Sequence, residues 1–149
     1  MPSTMSPVRY SAPDQFLCAA AAQPATCLSE LTERIAERLR DAFGNRPADV
    51  SEDCAAHQVV VSVRDPIPDG GRETGTYVLS ATVRLFGLRW EGAGDGRRLR
   101  GQVAVLGEVW RLDDENDFAW YVRDRHRRLG MLMDEVRTLV KEVTDALDA

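Results

Sequence analysis

The chain has 149 residues, the size of one domain, and such a domain buries about 70% of the surface of its unfolded chain. Apolar residues make up 44% and charged residues 29%, a globular composition that argues against bulk disorder. The net charge of -5 disfavours a dedicated binder of nucleic acid or anionic membranes, since such surfaces need a basic excess. No apolar stretch approaches the ~20 residues of a membrane-spanning helix.

The cysteines indicate a compartment. Cys18, Cys27 and Cys54 are odd in number and widely spaced, so they do not form a disulfide framework. This cysteine pattern is typical of proteins in a reducing compartment, so we predict a cytoplasmic protein. A secreted or envelope-associated form is the less favoured alternative, because the apolar run at residues 16–22 is short and Asp14 lies beside it.

Residues 1–25 are predicted to be an extended or partly disordered N-terminal arm with one short edge strand at residues 8–10. Residues 26–149 are predicted to form a single α+β domain. The arm shows little periodicity and carries four prolines: Pro2, Pro7, Pro13 and Pro24.

An apolar stripe predicts the first helix, over residues 28–43. Its members recur at spacings of three and four: Leu28, Leu31, Ile35, Leu39 and Phe43. Gly44 supplies the left-handed residue that ends a helix, and Pro47 forbids its continuation. Glutamates and arginines cover the other side, which is typical of a solvated helix packed on a core.

Dense β-branched residues predict a strand at residues 59–63, followed by a proline- and glycine-containing loop over residues 65–75. Residues 76–112 then alternate apolar and polar side chains on either side of a glycine-rich turn at residues 92–96, so we expect a long β-hairpin. A turn centred on Gly94 sets Gly87 opposite Gly101. Facing glycines in a long ladder predict a bulge or bend.

The last predicted element is a long amphipathic helix over residues 117–147. Its apolar seam has heptad-like spacing, interrupted by one charged residue, Arg125. The seam comprises Phe118, Val122, Leu129, Leu132, Val136, Leu139, Val143 and Leu147. The carboxylates at residues 113–117 are placed to cap the first turn and to meet the positive end of the helix dipole.

These elements predict an α+β two-layer sandwich. A three- or four-stranded antiparallel sheet, containing the hairpin 76–112, carries the helices 28–43 and 117–147 on one face. The order of elements over roughly residues 28–147 is similar to that of the small α/β lipoproteins that assist lipopolysaccharide assembly at the outer membrane. The resemblance concerns element order, and we carry over no residue role or activity from it.

No catalytic or cofactor signature is present in the sequence, so we predict no catalytic residues, no metal site and no cofactor. Cys54 and His57 have the spacing of half a metal site, but zinc needs two further ligands, and a small-residue turn is the simpler interpretation. We therefore favour a protein that is not an enzyme, and an enzymatic small-molecule site between sheet and helices stays open as an alternative.

Two regions are candidates for partner binding. The run at residues 123–128 places Arg123 and Arg127 on one helix face, while Arg128 is within reach of Asp124. Arg125 breaks the apolar seam, so it lies at the edge of the core, pairs with a buried carboxylate or marks a contact with a partner. At the hairpin tip, Arg89 and Trp90 have the composition of an interface anchor.

The leading hypothesis is a non-catalytic interaction or assembly protein that binds a protein partner or a second copy of itself. Its predicted surface combines the hairpin tip, Arg89 and Trp90, with the helix face that carries Arg123, Arg125, Arg127 and Arg128. The alternative is an anion- or nucleic-acid-binding module built on the same arginines. A small-molecule site between sheet and helices is the third possibility, although no ligand is identifiable from the sequence.

Overall fold

The computed structural model describes residues 8–10, 15–18, 24–69, 72–92, 98–111 and 119–148, and these form six strands and two helices. The elements in chain order are β1 (Val8–Tyr10), β2 (Gln15–Cys18), α1 (Pro24–Phe43), β3 (Ala48–Asp53), β4 (Gln58–Asp69), β5 (Arg72–Glu91), β6 (Arg98–Arg111) and α2 (Ala119–Asp148). The predicted α+β class is therefore confirmed. The predicted acidic cap at residues 113–117 and most of the turn at 92–96 lie outside the described residues.

The sheet is open and antiparallel, in the order β1-β6-β5-β4-β3. The strands β3 to β6 form a four-stranded sheet, and the short β1 and β2 pair one after the other with the outer side of β6. The predicted edge strand at residues 8–10 is confirmed as β1. The sequence did not predict β2 or β3.

The long hairpin of β5 and β6 has the predicted register. Pairing runs from Tyr77 with Arg111 to Phe86 with Gln102, and it shifts by one residue before Arg89 pairs with Arg100. Gly87 lies in this irregularity with a φ of 65°, a left-handed conformation that glycine adopts at low cost. The predicted bulge at the facing glycines is therefore confirmed.

The predicted loop over residues 65–75 is wrong. β4 continues to Asp69, β5 begins at Arg72, and Pro66 pairs with Thr76 inside the ladder. The prolines are tolerated because β3 pairs with β4 only as far as Val63. Arg64 still donates its N–H to the carbonyl oxygen of Pro47, and beyond it β4 has no described neighbour on its second side, so a missing N–H breaks no pairing there.

The helix bounds also differ slightly from those predicted. α1 begins at Pro24 rather than at residue 28, which fits proline in a first turn because the first N–H groups of a helix have no partner within the helix. α2 spans Ala119–Asp148 instead of residues 117–147, and its 30 residues make a rod about 45 Å long.

One core lies between the sheet and the two helices, so the predicted packing on one face is confirmed. Alternate residues of the central strands point into it: Val59, Val61, Val63, Tyr77, Leu79, Ala81, Val83, Leu85, Val103, Val105 and Val109. The helices contribute the predicted stripe of α1 and four seam residues of α2, Leu129, Leu132, Val136 and Leu139, beside which Met133 and Val140 are also buried. Burying such a side chain contributes about 1.5–3 kcal/mol. Phe118 and the side chains of Val122 and Leu147 lie outside the described residues.

Candidate functional site

A cleft of about 460 Å³ opens between α2, the α1–β3 turn and the strands β4 and β5. This volume lies within the usual range of ligand-binding sites. The lining combines three arginines, two carboxylates and an apolar surface: Arg46, Pro47, Val63, Asp65, Leu79, Arg127, Arg128, Met131, Leu132 and Glu135. We call this the arginine cleft.

The α1–β3 turn fixes Arg46 at the cleft. The Arg46 N–H donates to the carbonyl oxygen of Phe43 at 3.1 Å, and the Ala48 N–H donates to the carbonyl oxygen of Arg46 at 2.7 Å. The guanidinium lies 4.9 Å from the centroid of the Phe43 ring, in cation–π geometry. The Nη2 atom of Arg46 donates to Glu135 Oε1 at 2.9 Å. Arg46 is thus held by its own turn and by α2.

A second ion pair joins α2 to the sheet. Arg128 Nη1 donates to Asp65 Oδ2 at 2.9 Å, and both side chains are about two-thirds to three-quarters shielded from solvent. Asp65 reaches the cleft because the backbone of β4 continues past Val63 instead of turning away. The longer strand that the sequence did not predict therefore supplies one carboxylate of the site.

Glu135 lies two turns after Arg128 on α2. Its Oε1 accepts from Arg46, whereas its Oε2 is shielded from solvent and has no hydrogen-bond partner in the described part of the chain. The carboxylate therefore meets Arg46 through one oxygen, which leaves the pair monodentate. Arg127 is exposed and takes part in a further interaction within the protein.

The apolar surface of the cleft continues the protein core. Val63, Leu79 and Leu132 are buried core residues that line it. Met131 differs, because 62% of its surface is exposed, the largest value among large apolar side chains of the described residues. It follows Arg127 by one helical turn, so both lie on the same side of α2. The cleft therefore joins cationic groups to an exposed flexible apolar side chain.

Charge distinguishes this region from the rest of the chain. Three arginines face two carboxylates across the cleft, an excess of one positive charge, whereas the whole protein carries -5. The second depression, between α1 and α2, has the opposite balance. It is lined by Arg34, Glu37, Arg38, Asp41, Glu142 and Val143.

The structure brings two of the predicted site residues, Arg127 and Arg128, together with Arg46. Arg125 is 4% exposed and takes part in an interaction within the protein, so it offers little surface to a partner. The side chain of Arg123 lies outside the described residues.

The hairpin tip lies at the other end of the sheet. Arg89 is exposed, and it is ten residues further along β5 than Leu79 of the cleft, a distance of about 33 Å. The side chain of Trp90 lies outside the described residues. The tip and the arginine cleft therefore do not form one continuous surface.

Three cleft residues were missed in the sequence: Arg46, Asp65 and Glu135. They come from a turn, a strand and a helix that are far apart in the chain. Each has an ordinary local explanation as a surface charge, and no spacing links them. Only the packing of α2 across β4 and the α1–β3 turn reveals their proximity.

The predicted turn near Cys54 contains no metal site that the structure supports. No group of three or more His, Cys, Asp or Glu side chains among the described residues is arranged to hold a metal ion. Cys54 Sγ lies 3.8 Å from Glu52 Oε2, and partial burial, followed by the charge of Glu52, raises the pKa of the thiol. His57 closes the turn with a φ of 54°.

Neither helix of the described residues is both long enough and apolar enough to span a membrane. No protein-family model matches the chain, and no curated protein matches its sequence.

Proposed function

We propose that this protein is a non-catalytic interaction protein that binds a protein partner through the arginine cleft and the exposed Met131 beside it. The observation that carries the proposal is the position of Met131, 62% exposed at a ligand-sized cleft with three arginines. Arginine and methionine are both enriched at protein interfaces, where a guanidinium combines several donors with a flat surface and a thioether adapts to irregular shapes.

The proposed surface is smaller than the one expected from the sequence. It keeps Arg127 and Arg128, adds Arg46 and Met131, and omits the distant hairpin tip. A cytoplasmic location belongs to the same proposal, since Cys54 is a free thiol and the cysteine spacing suits a reducing compartment. The partner is a second protein or a second copy of this chain, which the molar mass measured by light scattering will distinguish.

Site-specific photo-crosslinking tests the proposal. A photoreactive phenylalanine analogue placed at Met131 should give one dominant crosslinked species in cells. The same analogue at Thr138, an exposed position on α2 outside the cleft, should give none. Equal crosslinking at both positions, or none at Met131, would contradict an interface at the cleft.

A second candidate function is an anion- or nucleic-acid-binding module, which the convergence of Arg46, Arg127 and Arg128 favours. Such a module should lose affinity for a single-stranded oligonucleotide steeply as the salt concentration rises. Titration of a labelled oligonucleotide at low salt tests it, and an unchanged signal would remove this candidate.

A further inference from the structure

We infer that the arginine cleft receives an acidic segment of the partner. This inference rests on the proposed function and names the chemistry of what is bound. A partner carboxylate would lie between Arg46, Arg127 and Arg128, and a neighbouring aliphatic side chain would pack on the apolar lining. The cleft volume of about 460 Å³ accommodates a few side chains of an extended peptide.

The Arg46 guanidinium has more donors than its contact with Glu135 uses. Among the described contacts its guanidinium donates to one carboxylate oxygen through Nη2, although a guanidinium has five N–H donors. Its side chain is 48% exposed. An incoming carboxylate can therefore bind in the bidentate geometry that the Glu135 contact does not provide, and bidentate pairs are the stronger ones.

The two carboxylates already in the cleft position its arginines. Asp65 and Glu135 hold Arg128 and Arg46 in place before any partner arrives. The Arg46–Glu135 pair is partly exposed, and pairs of this kind contribute little to stability. The pair therefore positions the Arg46 guanidinium, and a partner carboxylate can replace Glu135 at low cost. Glu135 then acts as an internal competitor whose removal strengthens binding.

The composition of the lining favours a peptide over a nucleic acid. Asp65 and Glu135 repel a phosphate backbone and a partner carboxylate alike, so the uncharged lining decides between the two ligands. The described lining contains no aromatic side chain on which a base could stack, while Val63, Leu79 and Leu132 offer an aliphatic surface. An acidic peptide with interspersed aliphatic residues matches both the charge and the apolar lining.

Fluorescence anisotropy on the full-length chain tests the inference with three labelled probes. One is a short peptide of alternating glutamate and leucine, the second has glutamine in place of glutamate, and the third is a single-stranded oligothymidine of equal charge. The wild type should bind the glutamate peptide at least about tenfold more tightly than either other probe, a difference of about 1.4 kcal/mol.

Substitutions in the arginine cleft test whether the glutamate peptide binds there. Arg46→Ala and Arg127→Ala should each weaken binding of the glutamate peptide severalfold, whereas Glu135→Gln should strengthen it because the competing charge is lost. Arg38→Ala is the matched control, since Arg38 of α1 forms a similar exposed ion pair with Glu142 of α2 outside the cleft. Thermal unfolding of each variant checks the fold, and Arg127→Ala alone suffices if Arg46→Ala proves unstable.

Equal affinity for the glutamate and glutamine peptides would overturn the inference, as would tighter binding of the oligothymidine or unchanged binding in the arginine variants. If crosslinking at Met131 succeeds while the glutamate peptide does not bind, the acidic chemistry is wrong and the proposed function stands. If crosslinking at Met131 also fails, both are wrong.

Discussion

The side chain of Met133 on α2 occupies the space that a Cβ on Gly107 of β6 would need. Gly107 pairs with Ala81, so two of the smallest residues lie side by side on β6 and β5. Leu129 lies over the same spot, at 3.1 Å from that Cβ position. Because Gly107 has no side chain, α2 can lie close to the sheet at this position.

Replacing Gly107 should destabilise the protein. The Cβ of Gly107→Ala would overlap the Met133 side chain, and overpacking of this kind costs about 1–3 kcal/mol. That cost exceeds the gain of about 0.5–1 kcal/mol that alanine normally brings over glycine within a strand. Urea unfolding measures the change. Adding Met133→Ala should recover part of the loss, so the two substitutions should be less than additive.

Gly130 provides the matched control within α2. Nothing lies within 4 Å of the position of its Cβ, so alanine introduces no clash. Gly130→Ala should raise the free energy of unfolding by about 0.5–1 kcal/mol, because glycine loses more backbone freedom in a helix than alanine does. A loss of stability in this variant would show that the space around Gly130 is filled.

Arg125 tests the cost of a buried charge. Its side chain is 4% exposed within the apolar seam of α2 and interacts with the rest of the protein. Arg125→Met keeps most of the side-chain volume but removes the charged group from its interaction within the protein, so it should lower the free energy of unfolding, though by less than the alanine variant does. Arg125→Ala should cost about 2 kcal/mol or more, since it leaves a cavity.

The comparison of the two Arg125 variants is decisive. Urea unfolding of both separates volume from charge, because only the alanine variant removes the packing. An equal loss in the methionine and alanine variants would contradict this prediction and would show that the guanidinium itself stabilises the fold.

The reactivity of Cys54 should reflect the carboxylates around it. Partial burial and the charges of Glu52, Glu33 and Asp53 raise the pKa of the thiol. Below the ordinary thiol pKa of 9.0, less of Cys54 is therefore thiolate, the reactive form, than in an unstructured peptide. Its rate of alkylation by iodoacetamide should rise with pH at higher values than in that peptide.

Glu52→Gln should move this pH profile back to lower pH, because one charge that opposes the thiolate is removed. The measurement uses a Cys18→Ser/Cys27→Ser background so that Cys54 alone reacts. Glu30→Gln is the control, since Glu30 is not among the groups that act on the thiol. An unshifted profile in Glu52→Gln would contradict the assigned electrostatic cause.

Local patterns in the sequence predicted the helices and strands that have one continuous apolar face. The stripe from Leu28 to Phe43 is buried as expected, because the apolar side of a helix packs against the protein core. The register of the hairpin followed from the turn centred on Gly94, and alternation on both strands fixes it, since a slip of one residue would expose every inward side chain.

The features that sequence patterns missed depend on tertiary pairing. β3 alternates between partly buried and exposed residues only from Ala48 to Ser51, which is too short a pattern to predict a strand, and it forms because β4 offers a free edge. The arginine cleft is of the same kind: Arg46, Asp65 and Glu135 meet only after α2 has packed across the sheet. Local sequence patterns therefore predict the scaffold and two of the three cleft arginines, Arg127 and Arg128.

The ion pair between Arg46 and Glu135 should contribute little to stability. A double-mutant cycle with Arg46→Ala and Glu135→Ala should give a coupling of about 0.2–1 kcal/mol, as expected for a partly exposed pair. The Arg38–Glu142 cycle is the control, at 3.1 Å and similar exposure, and it should give a coupling of the same size. Both couplings should shrink near 1 M salt, where the screening length is about 3 Å. A coupling above about 2 kcal/mol for Arg46–Glu135 alone would mean that this guanidinium is committed to the fold, and a partner carboxylate could then no longer displace Glu135 at low cost.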